Sequence, residues 1–342
     1  MSTEYCKISL KKLSGSQRKS GYHNSEFKKL FGSTKVNPCL SFSRSEFFQN
    51  SRDNTEGMSI SGIQQKLSIK ENDSHELVPT IEGGKYILKP SPEAYPNAAE
   101  NEHAAMKISQ LVGIDTALCG LVSFRGGELV YITKRFDRQS DGNKLHQEDL
   151  MQCFNLQSDK KYDKTYEDAG KLILEVTNGK QASVLDFVRR VILAYVIGND
   201  DLHLKNLSVQ RLPDNTGHYY DKLTPNYDYL FCDAFRSGER GMKFLALGLL
   251  CDKEDGDEYF TDMYEHYGYY TGYDFLELGR RLDLNEKPIR TFIAKLKDNQ
   301  NKIFDMINHS YMPDAMKERA ASLVKLRIRA IQIVERKKNL PN

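Results

Sequence analysis

The sequence predicts an α+β protein with a strand-rich N-terminal lobe and a helical C-terminal lobe. After a polar N-terminal stretch, short apolar or alternating runs bounded by turn residues predict strands. Beyond residue 146, longer amphipathic patterns predict helices almost to the end of the chain. With 342 residues, the chain is long enough to bury a sizeable core in two lobes. We therefore expect an N-terminal extension (1–56), a strand-rich lobe (57–136) and a helical lobe (137–342).

The N-terminal half contains the predicted strands. Residues 1–55 are rich in Ser and Lys with weak periodicity, which predicts an irregular extension. A helix is expected over 97–112, with Asn97 as its N-cap. Alternating polar and apolar residues predict a β-ribbon at 58–69. A short apolar run predicts a strand at 86–89 that is stopped by Pro90. Two further apolar runs, 121–124 and 129–133, flank a Gly-containing turn and predict a hairpin.

The C-terminal half contains the predicted helices. Each has apolar residues at a helical spacing and lies between turn signals. The predicted helices span 147–154, 165–176, 184–197, 257–266, 274–282, 286–309 and 314–338.

Composition excludes some classes of protein. Lys plus Arg (49) nearly balance Asp plus Glu (47), so the overall charge indicates no particular partner. The basic last helix is more typical of a solvated face, and direct nucleic acid binding is not expected. The longest strongly apolar run, 244–251, is too short to cross a bilayer, so no membrane association is expected. The six cysteines form no Cys-x-x-Cys pair and no export signal precedes them, which predicts reduced thiols and a cytoplasmic location.

The most informative stretch is 197–209. It places Asp201 and Asn206 five positions apart, on a turn between a buried helix and a short strand. Phosphoryl-transfer enzymes use this spacing in a catalytic loop, where the Asp accepts the proton of the attacking hydroxyl and the Asn helps to hold a metal. Asp200 is the competing base, but its fifth neighbour is Lys205, which cannot ligate a cation. The alternative is an ordinary Asx turn with His203 in the core.

A second carboxylate follows at Asp228, 22 residues after Asn206. That length allows two strands to leave and return to the same face. Mg²⁺ prefers one or two carboxylates together with phosphate oxygens, so Asp228 is a candidate metal ligand. The alternative is a turn residue beside Pro225.

A lysine and a glutamate form the third candidate. Lys89 ends an apolar strand and can place a positive charge against phosphates. Glu102, in the predicted 97–112 helix, can hold Lys89 by an ion pair, and Glu100 is the other candidate partner. An exposed surface pair explains the spacing equally well.

The fourth candidate is the Ser-rich segment 58–69. Its small residues and backbone N–H groups, including those of Ser61 and Gly62, can cover phosphates, and Lys66 can add positive charge. It has a single glycine, so a surface hairpin tip is the alternative.

Together these segments resemble the HipA-type serine/threonine protein kinases, the toxin kinases of bacterial toxin–antitoxin systems. The resemblance runs from about residue 57 to about 310 and rests on several stretches in the same order: 62–66, 86–90, 100–102, 134–138, 147–150, 198–209 and 223–228. It implies a two-lobed protein-kinase-like fold that binds ATP and Mg²⁺ between its lobes.

The resemblance also implies individual roles. Asp201 would be the catalytic base, and Asn206 and Asp228 the metal ligands. The residues expected to bind nucleotide are Lys89 with Glu102, Lys66, Ser61, Gly62, His203, and the hinge residues Lys134 and Phe136. In this family a loop serine can be autophosphorylated, and Ser59 and Ser61 occupy that place. Lys134 departs from the acidic residue that many relatives have there.

The N-terminus suggests a compact, split form of the family. The sequence has less before the kinase segment than full-length HipA, so a small protein resembling the missing part is an expected antitoxin partner. Residues 1–31 resemble a degenerate zinc ribbon that keeps Cys6 and His23 but has Ser9 in place of a second Cys, and no zinc site is expected.

We therefore predict a kinase that phosphorylates a protein hydroxyl, with a translation component such as an aminoacyl-tRNA synthetase as the substrate class. One alternative is a lipid or small-molecule kinase, since the order Asp201-x-His203-x-x-Asn206 also resembles phosphoinositide kinases. Another is a catalytically idle module that docks an antitoxin or DNA-binding partner.

Overall fold

The computed structural model describes residues 4–53, 65–139, 141–236, 245–252 and 257–337. The chain forms two compact units. The first consists of 1–108, 116–144 and 305–314, and the second of 109–115, 145–304 and 315–342. The division of the sequence at residues 56 and 136 stays a prediction.

An antiparallel sheet organises the first unit. Its strands are β1 (Leu67–Glu71), β2 (Leu77–Pro79), β3 (Tyr86–Lys89), β4 (Cys119–Ser123) and β5 (Leu129–Lys134), in the order β2-β1-β3-β5-β4. The helices in this part of the chain are α1 (Gln17–Ser20), α2 (Asn24–Phe31), α3 (Arg44–Asp53) and α4 (Ala98–Leu111). The predicted short strand, hairpin and long helix are therefore present.

The N-terminal segment is more ordered than its sequence pattern indicates. Its described residues form three helices, and their apolar side chains share one core with the sheet. Phe27 packs on Phe31 and Phe31 on Tyr86 of β3, with ring centroids 4.6 and 5.4 Å apart. Cys6 is fully buried, and its sulfur accepts hydrogen bonds from the backbone N–H groups of Ile8 and His23. Burial of these apolar side chains against the sheet stabilises the segment, although its sequence has little helical periodicity.

The described part of the second unit consists of helices and two small sheets. The strands β6 (Gln147–Asp149), β7 (Ser208–Gln210) and β8 (Lys222–Leu223) form one sheet in that order, and β9 (Leu250–Cys251) pairs with β10 (Glu258–Tyr259). The helices are α5 (Leu150–Cys153), α6 (Tyr166–Val176), α7 (Gln181–Ile197), α8 (Asp262–Tyr267), α9 (Gly272–Arg281), α10 (Glu286–Asp298), α11 (Gln300–His309) and α12 (Asp314–Ile331). The end of α11 belongs to the first unit.

Several predicted helices have different boundaries, and capping explains two of the differences. The last helix, predicted over 314–338, ends at Ile331, and the helix predicted over 184–197 begins earlier, at Gln181. The Asp149 side chain accepts a hydrogen bond from the N–H of Gln152, so α5 begins at Leu150 and the preceding residues are free to form β6. Thr261 caps α8 in the same way, and the residues before it form β10. The predicted helix 286–309 is two helices: α10 ends at Asp298 with Asn299 as its C-cap, and α11 begins at Gln300.

The described part of the chain contains no helix both long and apolar enough to span a bilayer. All six cysteines are free thiols in the structure.

We predict that His103 makes the stability of the first unit depend on pH. Its side chain is fully buried in α4, and its Nε2 lies 3.1 Å from the carbonyl oxygen of Ile8. Burial, reinforced by the charge of Lys107, lowers the pKa of His103 to about 3 from 6.5. An unfolded histidine takes up a proton between these values and the folded one does not, so stability should fall as pH drops from 6.5 towards 3.

The measurement is the free energy of urea unfolding between pH 7 and pH 4 for wild type and His103→Gln, which can keep the bond to Ile8 without titrating. Glutamine should flatten the pH dependence. Equal slopes for the two proteins would contradict the prediction.

Candidate functional site

The loop after α7 is built on a rigid base. From Val188 to Ile197 every residue of α7 is at least partly buried, and those from Arg190 onwards are fully so. Gly198 ends the helix with a left-handed φ of 72°, and its N–H bonds to the carbonyl groups of Ala194 and Tyr195. The chain then turns through 199–203 and a 3₁₀ turn, Leu204–Asn206, into β7.

We predict that Gly198→Ala destabilises the second unit by about 3 kcal/mol. Left-handed backbone costs a non-glycine residue about 1–2 kcal/mol, and here a Cβ would also overlap the side chain of Leu323. Gly268 is a matched control, since it ends α8 with a φ of 71° and no described atom lies within 4 Å of the place that a Cβ would occupy. Gly268→Ala should cost only about 1 kcal/mol in urea unfolding followed by circular dichroism. Equal costs would show that Leu323 moves aside freely.

Asp201 is oriented by its neighbours in this loop. The hydroxyl of Tyr162 donates a hydrogen bond to Asp201 Oδ1 over 3.0 Å, and His203 Nε2 lies 3.6 Å from the same oxygen. The amide Nδ2 of Asn206 donates to the backbone carbonyl of Asp201 over 2.9 Å. The Asp201 side chain is 45% exposed, so a solvent-side hydroxyl can reach it. The Asp-x4-Asn spacing thus forms a closed turn with its carboxylate facing outward.

Asp200 has a different environment. Its carboxylate is paired with Arg236 Nη1, which also lies 3.4 Å from Asp233. The Asp200 side chain is 15% exposed. A carboxylate that is paired with a guanidinium and mostly buried is less free to contact an incoming hydroxyl. The geometry therefore favours Asp201, as the spacing did.

His203 lies against Asp201 and is largely buried. Burial lowers the pKa of the imidazole, although the charges of Asp201 and Asp228 act in the opposite direction. The ring is therefore mainly neutral at neutral pH.

The strands β7 and β8 bring Asp228 back to this loop. β7 leaves the loop and pairs antiparallel with β8, with Val209 opposite Leu223. Tyr227 then donates from its hydroxyl to the carbonyl of Lys205 over 3.0 Å. Asp228 follows with φ 61°, a conformation that Asp adopts more readily than most residues.

Asn206 and Asp228 have the ligand chemistry for Mg²⁺. Because Asn206 uses its Nδ2 to bind the Asp201 carbonyl, its Oδ1 can face a cation. One amide oxygen and one carboxylate, completed by phosphate oxygens and water, fit the preference of this ion. The described residues contain no cluster of three or more His, Cys, Asp or Glu that could hold a metal without such additional ligands.

Lys89 and Glu102 form a buried ion pair in the first unit. Lys89 Nζ lies 2.7 Å from Glu102 Oε1, and their side chains are 5% and 0% exposed. Lys89 also lies over the ring of Tyr131, its neighbour across β3 and β5, at 5.5 Å from the centroid. The alternative partner, Glu100, instead accepts a hydrogen bond from Asn97, and burial raises its pKa.

The other nucleotide candidates are distributed around the same sheet. Lys66 directly precedes β1, and Lys134 ends β5, where its N–H bonds to the Leu118 carbonyl over 2.7 Å. Phe136 follows, before Asp137, which is held by Arg135 and Arg138. Ser59, Ser61 and Gly62 lie outside the described residues. The nucleotide-binding roles of this set stay predictions, as does its convergence with the Asp201 loop of the second unit.

Two contacts at the loop were missed from the sequence. Tyr162 lies 39 residues before Asp201 in a Lys-rich stretch, and Arg236 lies 36 residues after Asp200. Neither belongs to a spacing pattern, so only the fold brings them to the loop.

Comparison with known proteins identifies the relatives of this chain. The model of a family described as "HipA-like C-terminal domain" matches residues 58–304. A Haemophilus influenzae protein named "Putative kinase" is 36% identical over 327 residues, which cover 90% of this chain and 92% of that protein.

Two solved structures share the fold. One is from a Shewanella oneidensis complex of HipA, HipB and operator DNA of a toxin–antitoxin system, with a TM-score of 0.63, 18% identity, and coverage of 84% of this chain and 70% of that one. The other is the Helicobacter pylori proinflammatory kinase CtkA, with a TM-score of 0.51, 16% identity, and coverage of 81% and 94%. These similarities confirm the predicted two-lobed, kinase-like α+β fold.

Proposed function

We propose a reaction for this chain, which belongs to the HipA-like C-terminal domain family. It is a protein kinase that transfers the γ-phosphate of ATP to a Ser or Thr hydroxyl of a protein. The observation that carries the proposal is the Asp201 carboxylate, half-exposed, hydrogen-bonded on one oxygen and set on a turn closed by Asn206. That is the arrangement a base needs to accept the proton of an incoming hydroxyl.

The chain's own residues divide the work of the reaction. Asp201 orients the acceptor hydroxyl and takes its proton as the new oxygen–phosphorus bond forms; the bond between the γ-phosphorus and the β–γ bridging oxygen breaks, and ADP leaves. Asn206 Oδ1 and Asp228 would hold Mg²⁺, which when bound supplies positive charge to the phosphate oxygens. Lys89 adds a fixed positive charge at the phosphates, and Glu102 keeps its ammonium in one position. Most of the rate gain then comes from positioning and electrostatics.

The remaining predicted residues complete the nucleotide site in this proposal. Lys134 and Phe136 lie beside the adenine, and His203 supports Asp201 as a neutral ring. Lys66, Ser61 and Gly62 cover the phosphates.

The partners and the substrate class are further parts of the proposal. The Shewanella HipA is assembled with HipB and operator DNA. We propose that this chain is likewise a toxin kinase neutralised by an antitoxin protein, and that its substrate is a component of translation such as an aminoacyl-tRNA synthetase.

The test is phosphate transfer from [γ-³²P]ATP with Mg²⁺ into a phosphatase-treated bacterial extract. Wild type should label discrete protein bands that contain phosphoserine or phosphothreonine after acid hydrolysis, and Asp201→Asn should label none. A parallel reaction supplies phosphatidylinositol vesicles in place of the extract. Labelled lipid with unlabelled protein would favour a lipid kinase, and equal labelling by both proteins would refute the assignment of Asp201.

Autophosphorylation of Ser59 or Ser61 is a further part of the proposal. A phosphate there adds about −1.5 to −2 charge next to the ATP phosphates and should weaken nucleotide binding. Intact-mass spectrometry should show an added phosphate on wild type that is absent from Asp201→Asn and from the double variant Ser59→Ala/Ser61→Ala. An unmodified, active wild-type protein would contradict this regulation.

A further inference from the structure

Tyr162 lies against the proposed base from a distant part of the second unit. It belongs to the segment between the 3₁₀ turn Ser158–Lys160 and α6. Its hydroxyl donates to Asp201 Oδ1 over 3.0 Å, and its ring meets the imidazole of His203 edge-on, with centroids 5.3 Å apart. The carbonyl of the preceding Lys161 accepts a hydrogen bond from the N–H of Leu204. Both the backbone at Lys161 and the side chain of Tyr162 therefore form hydrogen bonds with the Asp201 loop.

The two contacts of the Asp201 carboxylate fall on the same oxygen. Tyr162 donates to Oδ1, and His203 Nε2 is 3.6 Å from Oδ1. Within the described parts of the chain, no group donates a hydrogen bond to Oδ2. A carboxylate can rotate about its last torsion almost freely, and a donor fixed on one oxygen selects the orientation of the other.

We propose that Tyr162 is a positioning residue that holds Oδ1 of Asp201 so that Oδ2 faces the acceptor hydroxyl. The inference rests on the kinase reaction proposed above. Tyr162 itself exchanges no proton with the substrate: the acceptor proton passes to Oδ2 while the phenol keeps its own.

The electrostatic environment suits this role. Burial, followed by the negative charge of Asp201, raises the pKa of the Tyr162 hydroxyl above its usual value of 10. The phenol therefore stays protonated and keeps donating at any pH at which a kinase is assayed.

A second interpretation of the same contact makes the opposite prediction. The Tyr162 side chain is 46% exposed and its hydroxyl lies on the carboxylate, so it could instead occupy the place of the acceptor hydroxyl and have to leave before a substrate binds. Removing the hydroxyl would then raise the rate. The position of both contacts on Oδ1, with Oδ2 facing away from them, favours positioning.

The test is Tyr162→Phe in the full chain, which keeps the ring and its contact with His203 and removes the donor. With casein as the acceptor, and with the enzyme's own autophosphorylation measured in parallel, kcat should fall about 10-fold while KM for ATP stays within about 2-fold. If Tyr162 only maintained the fold of the site, its loss would change kcat and KM for ATP together. Tyr219→Phe is the matched control, because Tyr219 is 52% exposed in the same unit and, among the described residues, its hydroxyl makes no hydrogen bond. It should match wild type.

The outcomes separate this inference from the proposed reaction. If Tyr162→Phe matches or exceeds wild type while Asp201→Asn is inactive, the kinase reaction stands and the positioning role is wrong. If kcat and KM for ATP change together, Tyr162 acts on the fold of the site and the inference is also wrong. If wild type transfers no phosphate to any acceptor, the reaction fails and the inference fails with it.

Discussion

Asp201→Asn should lower the rate of phosphate transfer by about 10³-fold. Asparagine keeps the size of the side chain and can still accept the hydrogen bond from Tyr162, but it cannot take the proton of the acceptor hydroxyl. The loop should therefore stay folded while the chemistry stops. Initial rates of ³²P transfer, together with nucleotide affinity from fluorescence of trinitrophenyl-ATP, measure the two effects separately. Nucleotide affinity should be nearly unchanged.

Asp200→Asn is the neighbouring control. The change has the same size and chemistry one position away, but the Asp200 carboxylate is paired with Arg236 and is only 15% exposed. Its rate should fall less than about 10-fold, through a small displacement of the loop. A larger loss at Asp200 than at Asp201 would show that Asp201 is not the base.

Breaking the buried pair of Lys89 and Glu102 should strongly destabilise the first unit. Both side chains are almost completely buried, so replacing one of them removes the charge that compensates the other in a medium of low dielectric constant. We expect Lys89→Met and Glu102→Gln each to destabilise the first unit by about 3 kcal/mol. The double variant should lose clearly less free energy of unfolding than the two single variants together, since the effects of mutating residues in contact are not additive.

The chain has no Trp, so unfolding is best followed by circular dichroism, with hydrogen exchange of peptides from β3 and α4 to locate the effect. The ion pair of Arg125 with Glu46 is the control in the same unit, since both side chains are largely exposed. Arg125→Gln should leave the unfolding midpoint unchanged. If the loss of unfolding free energy in the double variant equals the sum of the losses for Lys89→Met and Glu102→Gln, the two side chains are not coupled. Lys89→Met should also weaken ATP binding if Lys89 contacts phosphate.

Most of the helices and strands that carry the candidate site residues could be predicted, because the sequence patterns that indicate them are local. The strand ending at Lys89, the helix that contains Glu102 and the buried helix before the Asp201 loop all follow from period and turn residues over a few positions. The 22-residue return from Asn206 to Asp228 also formed as expected, through two paired strands.

The failures have two physical causes. Capping by Asp149 and Thr261 set helix starts that periodicity cannot locate, because a cap depends on one side chain and one N–H group. The second cause is packing between residues that are far apart in the sequence, which local patterns do not reveal. The N-terminal helices have weak periodicity but bury Phe27 and Phe31 against the sheet, and Tyr162 reaches Asp201 only through the tertiary fold.

The composition of the first unit has a consequence for biosynthesis. It includes 305–314 as well as the N-terminal part of the chain, and there His309 stacks on Tyr5 at 4.1 Å while the Tyr311 hydroxyl bonds to the Tyr5 carbonyl. The residues of that hydrogen bond are 306 positions apart, which ribosomes translate in roughly 15–60 s at about 5–20 residues per second. The first unit therefore cannot form this contact until Tyr311 has been synthesised and has left the ribosome. A translation product that terminates before residue 305 would lack this segment, so a complete first unit of the proposed toxin requires synthesis through residue 314.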